Sequence, residues 1–376
     1  MREPSSRVCL HLLLAITCCL SSFAAGQQYL YTNDNVSNHI NSTTALKVST
    51  AGAVKMIKTY STGGRSAGGG AYYASRPIAY VKTSSSSCLF LSNGGDSTIS
   101  AFKINLKNGQ LSAVKGSPFA YGVTGSQPNG ISLASGNGKL LFAGNSGHNS
   151  VSVLKIAASC SLKSASSTTV SYSPVDLKTT PNGKYLIASY MGPVDSFTID
   201  YGKSQLKELG PFSSSGSAAG IDITCDGATA FFGDAAANTE VEAYRIQSNG
   251  KLSELANYKD KKGSNSNNVM LSKDQKTLYV TNNQSSEISI LQVGRNGVEF
   301  RQGIIKLNKP GQFADALAEN KAGTQLFVSE ARDPESAGVL LPKRGSLKEV
   351  PGSPFGVVSN FFAPAGLIAV PGFACK

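Results

Sequence analysis

The sequence predicts an all-β fold, a seven-bladed β-propeller of four-stranded antiparallel blades with the last strand of the chain placed in the first blade. Three observations carry this expectation. A strand-like motif recurs along the 376 residues. Each copy is flanked by alternating runs and turn signals, and the two chain ends are incomplete in complementary ways.

The motif begins at Leu30 (LYTND), Leu89 (LFLSN), Leu141 (LFAGN), Leu186 (LIASY), Phe231 (FFGDA), Leu278 (LYVTN) and Leu326 (LFVSE). The spacings, about 45–59 residues, bracket the period of propeller blades. Most copies lead into a second run, such as TISAFKI, SVSVLKI, EVEAYRI or EISILQV, whose apolar and polar residues alternate as in a half-buried strand. Turns reading KNG, SNG or RNG then introduce a third run, QLSAV, KLSEL or VEFRQ. A fourth run, ISLAS, VDLKT, IDITC, VMLSK or ALAEN, stands upstream of its LF-type strand. Four strands per repeat with no helix-period pattern argue against a βαβ architecture. A β-sandwich would use up its strands within roughly 100 residues.

The chain ends complete each other. GSPFAYGVTGSQPNGISLA starts at Gly116 and GSPFGVVSNFFAPAGLIAV at Gly352, with Pro128 and Pro364 equally spaced from those glycines. Residues 367–370 therefore match inner-strand residues 131–134, yet no LF-type strand follows them. The N-terminus starts directly on such a strand. Pairing the two ends covers an edge that an open sheet would leave exposed.

Residues 1–26 read as a signal peptide: a head with Arg2 and Arg7, an apolar stretch, and small residues up to Gly26. Residues 27–376 form the expected propeller domain, secreted to an extracellular or periplasmic space. No later segment is long and apolar enough for a transmembrane helix. The formal charge of +12 falls to about +11 once Arg2, Arg7 and Glu3 leave, which favours anionic neighbours. Scattered lysines and the lack of a basic stripe argue against nucleic acid. The expected partners are an envelope or extracellular glycan or protein, or an anionic small molecule, bound by a monomer.

Cys9, Cys18 and Cys19 leave with the leader, so Cys88, Cys160, Cys225 and Cys375 remain and permit two disulfides. Their spacing lacks a zinc pattern. Cys375 and Cys88 take equivalent places in neighbouring blades, so a Cys88–Cys375 disulfide is the expected pairing. The partners of Cys160 and Cys225 stay open. Asn35, Asn41 and Asn283 head glycosylation sequons, and GGRSAGGG at 63–70 is a glycine-rich insertion without the features of a phosphate loop.

LFAGNSGHNSVSVLKI, TPNGKYLIASYMGPVDSFTI, LYVTNNQSSEISILQV and the paired GSPF segments resemble the lactonase group of secreted seven-bladed propellers, similar to 6-phosphogluconolactonase and 3-carboxymuconate-cyclizing enzymes. The resemblance spans most of residues 29–371. It implies histidine, acidic and arginine side chains on one face of the ring, with a PHxH-type segment ahead of an inner strand. Here that segment reads SYSPVDL, with Ser173 and Val175 in the histidine positions. An imidazole base would have to be His148 or His39.

Inner strands carry Ser132, Asp176, Asp222, Asn268 and Asp315 at one repeat position. These oxygens should converge on the channel, where carboxylates raise each other's pKa unless donors or a cation compensate. His148, Asp176 and Asp222 are thus the catalytic candidates. Asp176, Asp222 and Asp315 are the metal candidates, suited to calcium or magnesium, with no cofactor required. The competing expectation is structural, with the aspartates accepting backbone N–H groups and holding blades together. Arg332, Asp333 and Glu335 form a charged loop able to clamp a carboxylate or pair internally.

Two functions are in view. Serine-, glycine- and asparagine-rich loops and the missing histidine pair favour a non-catalytic binder of an envelope component, glycan or protein. The positive charge, the family resemblance and the aspartate set support the alternative, a lactonase-like hydrolase or cyclase acting on a lactone or carboxylated small molecule.

Overall fold

A computed structural model describes residues 27–375 apart from 36–38, 67–75, 123–130, 215, 236–239, 260–265, 283–284, 309–312, 332–335, 344–345 and 357–365. The leader, the Arg332–Glu335 loop, Asn283 and the end of the glycine-rich insertion lie outside the described residues. Seven antiparallel sheets follow the repeat, five of four strands and two carrying a short fifth strand. The expected seven-bladed, all-β architecture is what the chain adopts.

The innermost strands are Ile78–Lys82, Ile131–Gly136, Asp176–Thr179, Ala218–Ile223, Ser266–Leu271, Phe313–Glu319 and Gly366–Val370. Each packs beside the next around the channel, and Gly366–Val370 lies between Phe313–Glu319 and Ile78–Lys82. Gly366–Val370 pairs antiparallel with Gln28–Asn33, Leu367 opposite Thr32 and Val370 opposite Tyr29. The first sheet is therefore assembled from both ends of the chain.

Seven apolar clusters fill the seven gaps between neighbouring blades. The aromatic residue of the LF motif drives this: Phe90, Phe142, Phe231, Phe232 and Phe327 are fully buried. Each such ring is worth roughly 2–3 kcal/mol of apolar burial. Sheets stacked on both sides also bury the polar face of the second alternating run, so Thr98–Ile104 is covered over most of its length. The half-buried expectation fails there because a blade has a neighbour on each side. Hydrogen bonds compensate some of the buried hydroxyls: Ser100 donates to the Thr62 carbonyl at 2.8 Å and Ser196 to that of Gly250 at 2.7 Å, whereas Ser152 in blade three has no partner among the described residues. Only the outermost strands keep a clear wet face, as in Leu162–Thr169.

The disulfides differ from expectation. Cys88 bonds Cys160, and Cys225 bonds Cys375, so Cys88–Cys375 does not form. Equivalent positions in adjacent blades repeat at the blade spacing, whereas a disulfide needs Cα atoms within about 7 Å. Cys88 opens the second strand of blade two and meets the turn after the third strand of blade three, at a Cα separation of 5.6 Å. Cys375 is carried away from blade two because the tail does not stop at the inner strand. Gly372 bridges Asn320, Phe373 N–H donates to the Glu319 carbonyl at 3.2 Å, and the chain then reaches Cys225 in blade five.

Of the sequons, Asn41 is fully buried, its amide donating to Asn33 Oδ1 at 2.9 Å and Ser92 O at 3.1 Å. A glycan on Asn41 is incompatible with this packing.

Candidate functional site in the central channel

Inner strands of all seven blades surround a cavity of about 680 Å³, with Arg76, Lys178, Asp222, Asn268 and Glu319 in its wall. The tail residues Pro371–Cys375 line it too. They lie across the end of the channel where each inner strand turns into its second strand.

Asp176 is fully buried and accepts from three blades and a loop. Ser132 Oγ donates at 2.8 Å, the amides of Leu177 and Ile221 each at 2.8 Å, and Arg76 reaches both carboxylate oxygens at 3.2 and 3.0 Å. Arg76 precedes the inner strand of blade two and its carbonyl accepts the Leu133 amide of blade three at 2.7 Å, so this pair bridges past blade three to blade four. Asp222 repeats the scheme one blade on. It accepts from the Ile223 amide at 2.9 Å and the Leu271 amide at 2.7 Å, and pairs with Lys178 Nζ at 2.7 Å. Asp315 accepts from Asn267 at 2.7 Å and Asn268 at 3.4 Å.

Asp176 and Asp222 are thus brought together through Arg76, which feels both charges, and each staples neighbouring blades. Their oxygens are taken up by amides and cations. Among the described residues, no group of three or more His, Cys, Asp or Glu side chains is placed to hold a metal ion. Because Asp176 carries bonds to three elements, Asp176→Asn should cost about 3 kcal/mol by leaving Arg76 uncompensated. Urea unfolding of the two proteins measures it.

His148 ends a short 3-10 turn, Ser146–His148, on the opposite rim, and His39 is exposed on that same rim. Neither lines the cavity. Ser173, at a family histidine position, donates to Asn149 Oδ1 at 2.6 Å.

The residue that sequence reasoning missed is Glu319. It closes the inner strand of blade seven, is 6% exposed, and its Oε2 has no hydrogen-bond partner among the described residues. Burial pushes its carboxyl up to about 7; the charges of Asp274 and Asp222 push the same way, and Lys273 opposes them. The signal was present in the repeat. Glu319 faces Leu326 across the ladder; the partners of Leu141, Leu186 and Leu278 at that position are Ser135, Thr179 and Leu271, and that of Phe231 is Asp222, so blades five and seven both place an acid there. Arg76 was also missed, because it stands outside the repeat in AYYASRPIAY.

Burial likewise lifts Asp315 to about 7 against its asparagine donors, and lifts Asp195, hydrogen-bonded to Glu208, to about 7. Carboxyls raised in the folded state bind more protons than the unfolded chain between about pH 4 and 7. Their contribution is therefore most favourable below pH 4 and is lost as pH rises through 7. Stability should fall from pH 5 to pH 7.5, on the order of 1 kcal/mol per group. Chemical denaturation at the two pH values checks the sign.

Comparison with known proteins adds a class. Residues 190–322 match the family model described as Lactonase, 7-bladed beta-propeller. The chain is similar to this lactonase group of propellers, as its repeats suggest. Among solved structures it resembles a candidate 6-phosphogluconolactonase from Bacteroides fragilis (17% identity, TM-score 0.74, covering 93% of this chain and 99% of that one). It also resembles a candidate 6-phosphogluconolactonase from Bacteroides uniformis (15%, 0.71, 92% and 99%) and the periplasmic gluconolactonase of Pseudomonas aeruginosa (16%, 0.68, 90% and 99%). At these identities the likeness establishes the fold. No curated protein matches the sequence.

Proposed function

We propose that the protein is a lactonase-like hydrolase that opens a small, carboxylated or polyhydroxylated lactone inside the central channel, in an exported setting. The observation that carries this reading is Glu319: a buried carboxyl titrating near neutrality, with an unpartnered oxygen, in the wall of a cavity that also presents Arg76 and Lys178. Perturbed carboxyls in concave sites are the usual mark of acid–base chemistry.

In this mechanism the Glu319 carboxyl, whose Oε2 is closed to solvent in the resting structure, turns into the cavity and takes a proton from a water molecule as the water oxygen attacks the lactone carbonyl. The developing oxyanion is stabilised by the cationic side of the cavity, Lys178 and Arg76, each about one-third exposed even while paired. The acyl–oxygen bond of the ring then breaks, and the leaving alkoxide recovers the proton from Glu319, giving the hydroxy acid. Asp176 and Asp222 act by position: they hold the two cations and lock the blades that carry them.

A panel of γ- and δ-lactones, with and without hydroxyl or carboxylate substituents, assayed by acid release at pH 7.5, tests the reading. Turnover above the spontaneous rate on a substituted lactone supports it. A flat panel combined with saturable glycan binding would favour the binder.

A further inference from the structure

The lysines look scattered in sequence, but the fold collects them. In every blade the turn between the first and second strands and the turn between the third and fourth lie at one end, because successive strands reverse direction. Hydrogen bonds between neighbouring turns knit this rim: Thr83 Oγ donates to Ala158 O at 3.1 Å, Tyr185 OH to Ser248 O at 2.7 Å, and Gln325 Nε2 to Ser49 O at 2.8 Å. Both disulfides and the tail lie on the same side.

Lys107, Lys139, Lys184, Lys203, Lys251 and Lys321 all sit in these turns and are exposed. They come from blades two, three, four, five and seven, so the positive charge runs round the ring. None of the six is in an ion pair among the described residues. The acidic residues of the same turns face their own backbone. Asp200 accepts the Lys203 amide, Asp226 the Ala228 amide and the Thr224 hydroxyl, and Asp274 the Lys276 amide and the Ser272 hydroxyl. These carboxylates build turns and leave the lysine heads to solvent.

We propose that this rim is a docking surface for an extended anionic polysaccharide, whose carboxylate or sulfate groups meet the lysines in succession. Several features select that partner. Well-separated ammonium groups suit spaced single charges, whereas arginine forks suit close bidentate contact. Among the described turn residues of the rim, Leu106 is the one strongly exposed large apolar side chain, too little for insertion into a lipid surface. The tyrosines among these turns, Tyr185 and Tyr201, are half-buried with their hydroxyls tied to the Ser248 and Gly183 carbonyls, so among the described residues no open platform for stacked bases interleaves with the lysines. The surface surrounds the channel mouth, whose lining includes the turn residues Asn137, Gly138, Asn182 and Gly183, but it rests on none of the proposed channel chemistry.

The test compares two charge-reversed proteins with equal net charge. One carries Lys107→Glu, Lys184→Glu, Lys251→Glu and Lys321→Glu. The other carries Lys115→Glu, Lys259→Glu, Lys306→Glu and Lys348→Glu, all on outermost strands or just beyond them toward the opposite rim. Binding of polygalacturonate and dextran sulfate is measured at 50 and 200 mM salt. The rim variant should weaken binding at least about tenfold, the control variant less than about threefold, and salt should weaken the native protein. A Lys→Gln set at the same rim positions should give a smaller loss in the same direction, and it serves if charge reversal prevents folding. Equal losses in rim and control proteins would overturn the location. Tighter binding to phosphatidylglycerol vesicles or duplex DNA than to either polysaccharide would overturn the partner.

Discussion

Glu319→Gln is expected to lower lactone turnover by roughly 10²–10⁴-fold, the range a positioned general base supplies, with little change in KM. The argument rests on the carboxyl's place: buried in the channel wall, one oxygen unpartnered, and titrating near 7. The active form is the carboxylate, so kcat/KM should rise with pH through about 7 and then level off, and the Gln protein should lose that limb. A purely structural role predicts the opposite pattern. Replacing a buried ionisable group by its neutral isostere removes a desolvation cost, so the Gln protein should be as stable as the native chain or more so above pH 7. Undiminished turnover would end the base assignment while leaving the rim proposal untouched.

Replacing Cys225 and Cys375 together by serine should cost roughly 5 kcal/mol by the loop-entropy relation, since the bond spans 150 residues. The Cys88–Cys160 bond, spanning 72 residues, should cost slightly less, roughly 4 kcal/mol. Denaturant unfolding of the two double variants gives the order. The first carries a second readout. The tail that it tethers lines the channel cavity, so its release should speed exchange of small molecules there, whereas loss of Cys88–Cys160 should not. A cost below 1 kcal/mol, or equal effects on exchange, would mean that the tail is held by its contacts with Glu319, Asn320 and Lys321 alone.

The staple chemistry explains why the inner-strand aspartates read ambiguously in sequence. The expected shared position does not hold, since Asp176 faces Ser189, Asp222 faces Phe231 and Asp315 lies in a register shift; near-constant spacing in sequence suits a converging ligand set and a set of blade locks equally well. Only distances separate them. Asp222 receives amides from its own strand and the next blade, and Asp315 receives asparagine amides from blade six. Each bond is short-range and local to one gap, so the aspartates join pairs of blades and their charges are met where they stand.

By itself the sequence determined the architecture. Period, alternation and turn residues are local properties, and each blade's hydrophobic demand is met by a neighbour with the same pattern. The complementary ends could be read for the same reason, residues 367–370 aligning with 131–134 before any coordinates. What only the tertiary structure decided are the relations between distant positions: Cys225 with Cys375, Arg76 with Asp176 past an intervening blade, and the burial of Glu319 in the channel wall. A repeat predicts what is alike: Arg76 and the cysteine pairings lie outside what it repeats, and Glu319 shares its ladder position with Asp222 but not the Lys178 partner. The lysine rim is the intermediate case, since its residues were visible one turn at a time, and strand reversal in seven successive blades is what places them on a single face.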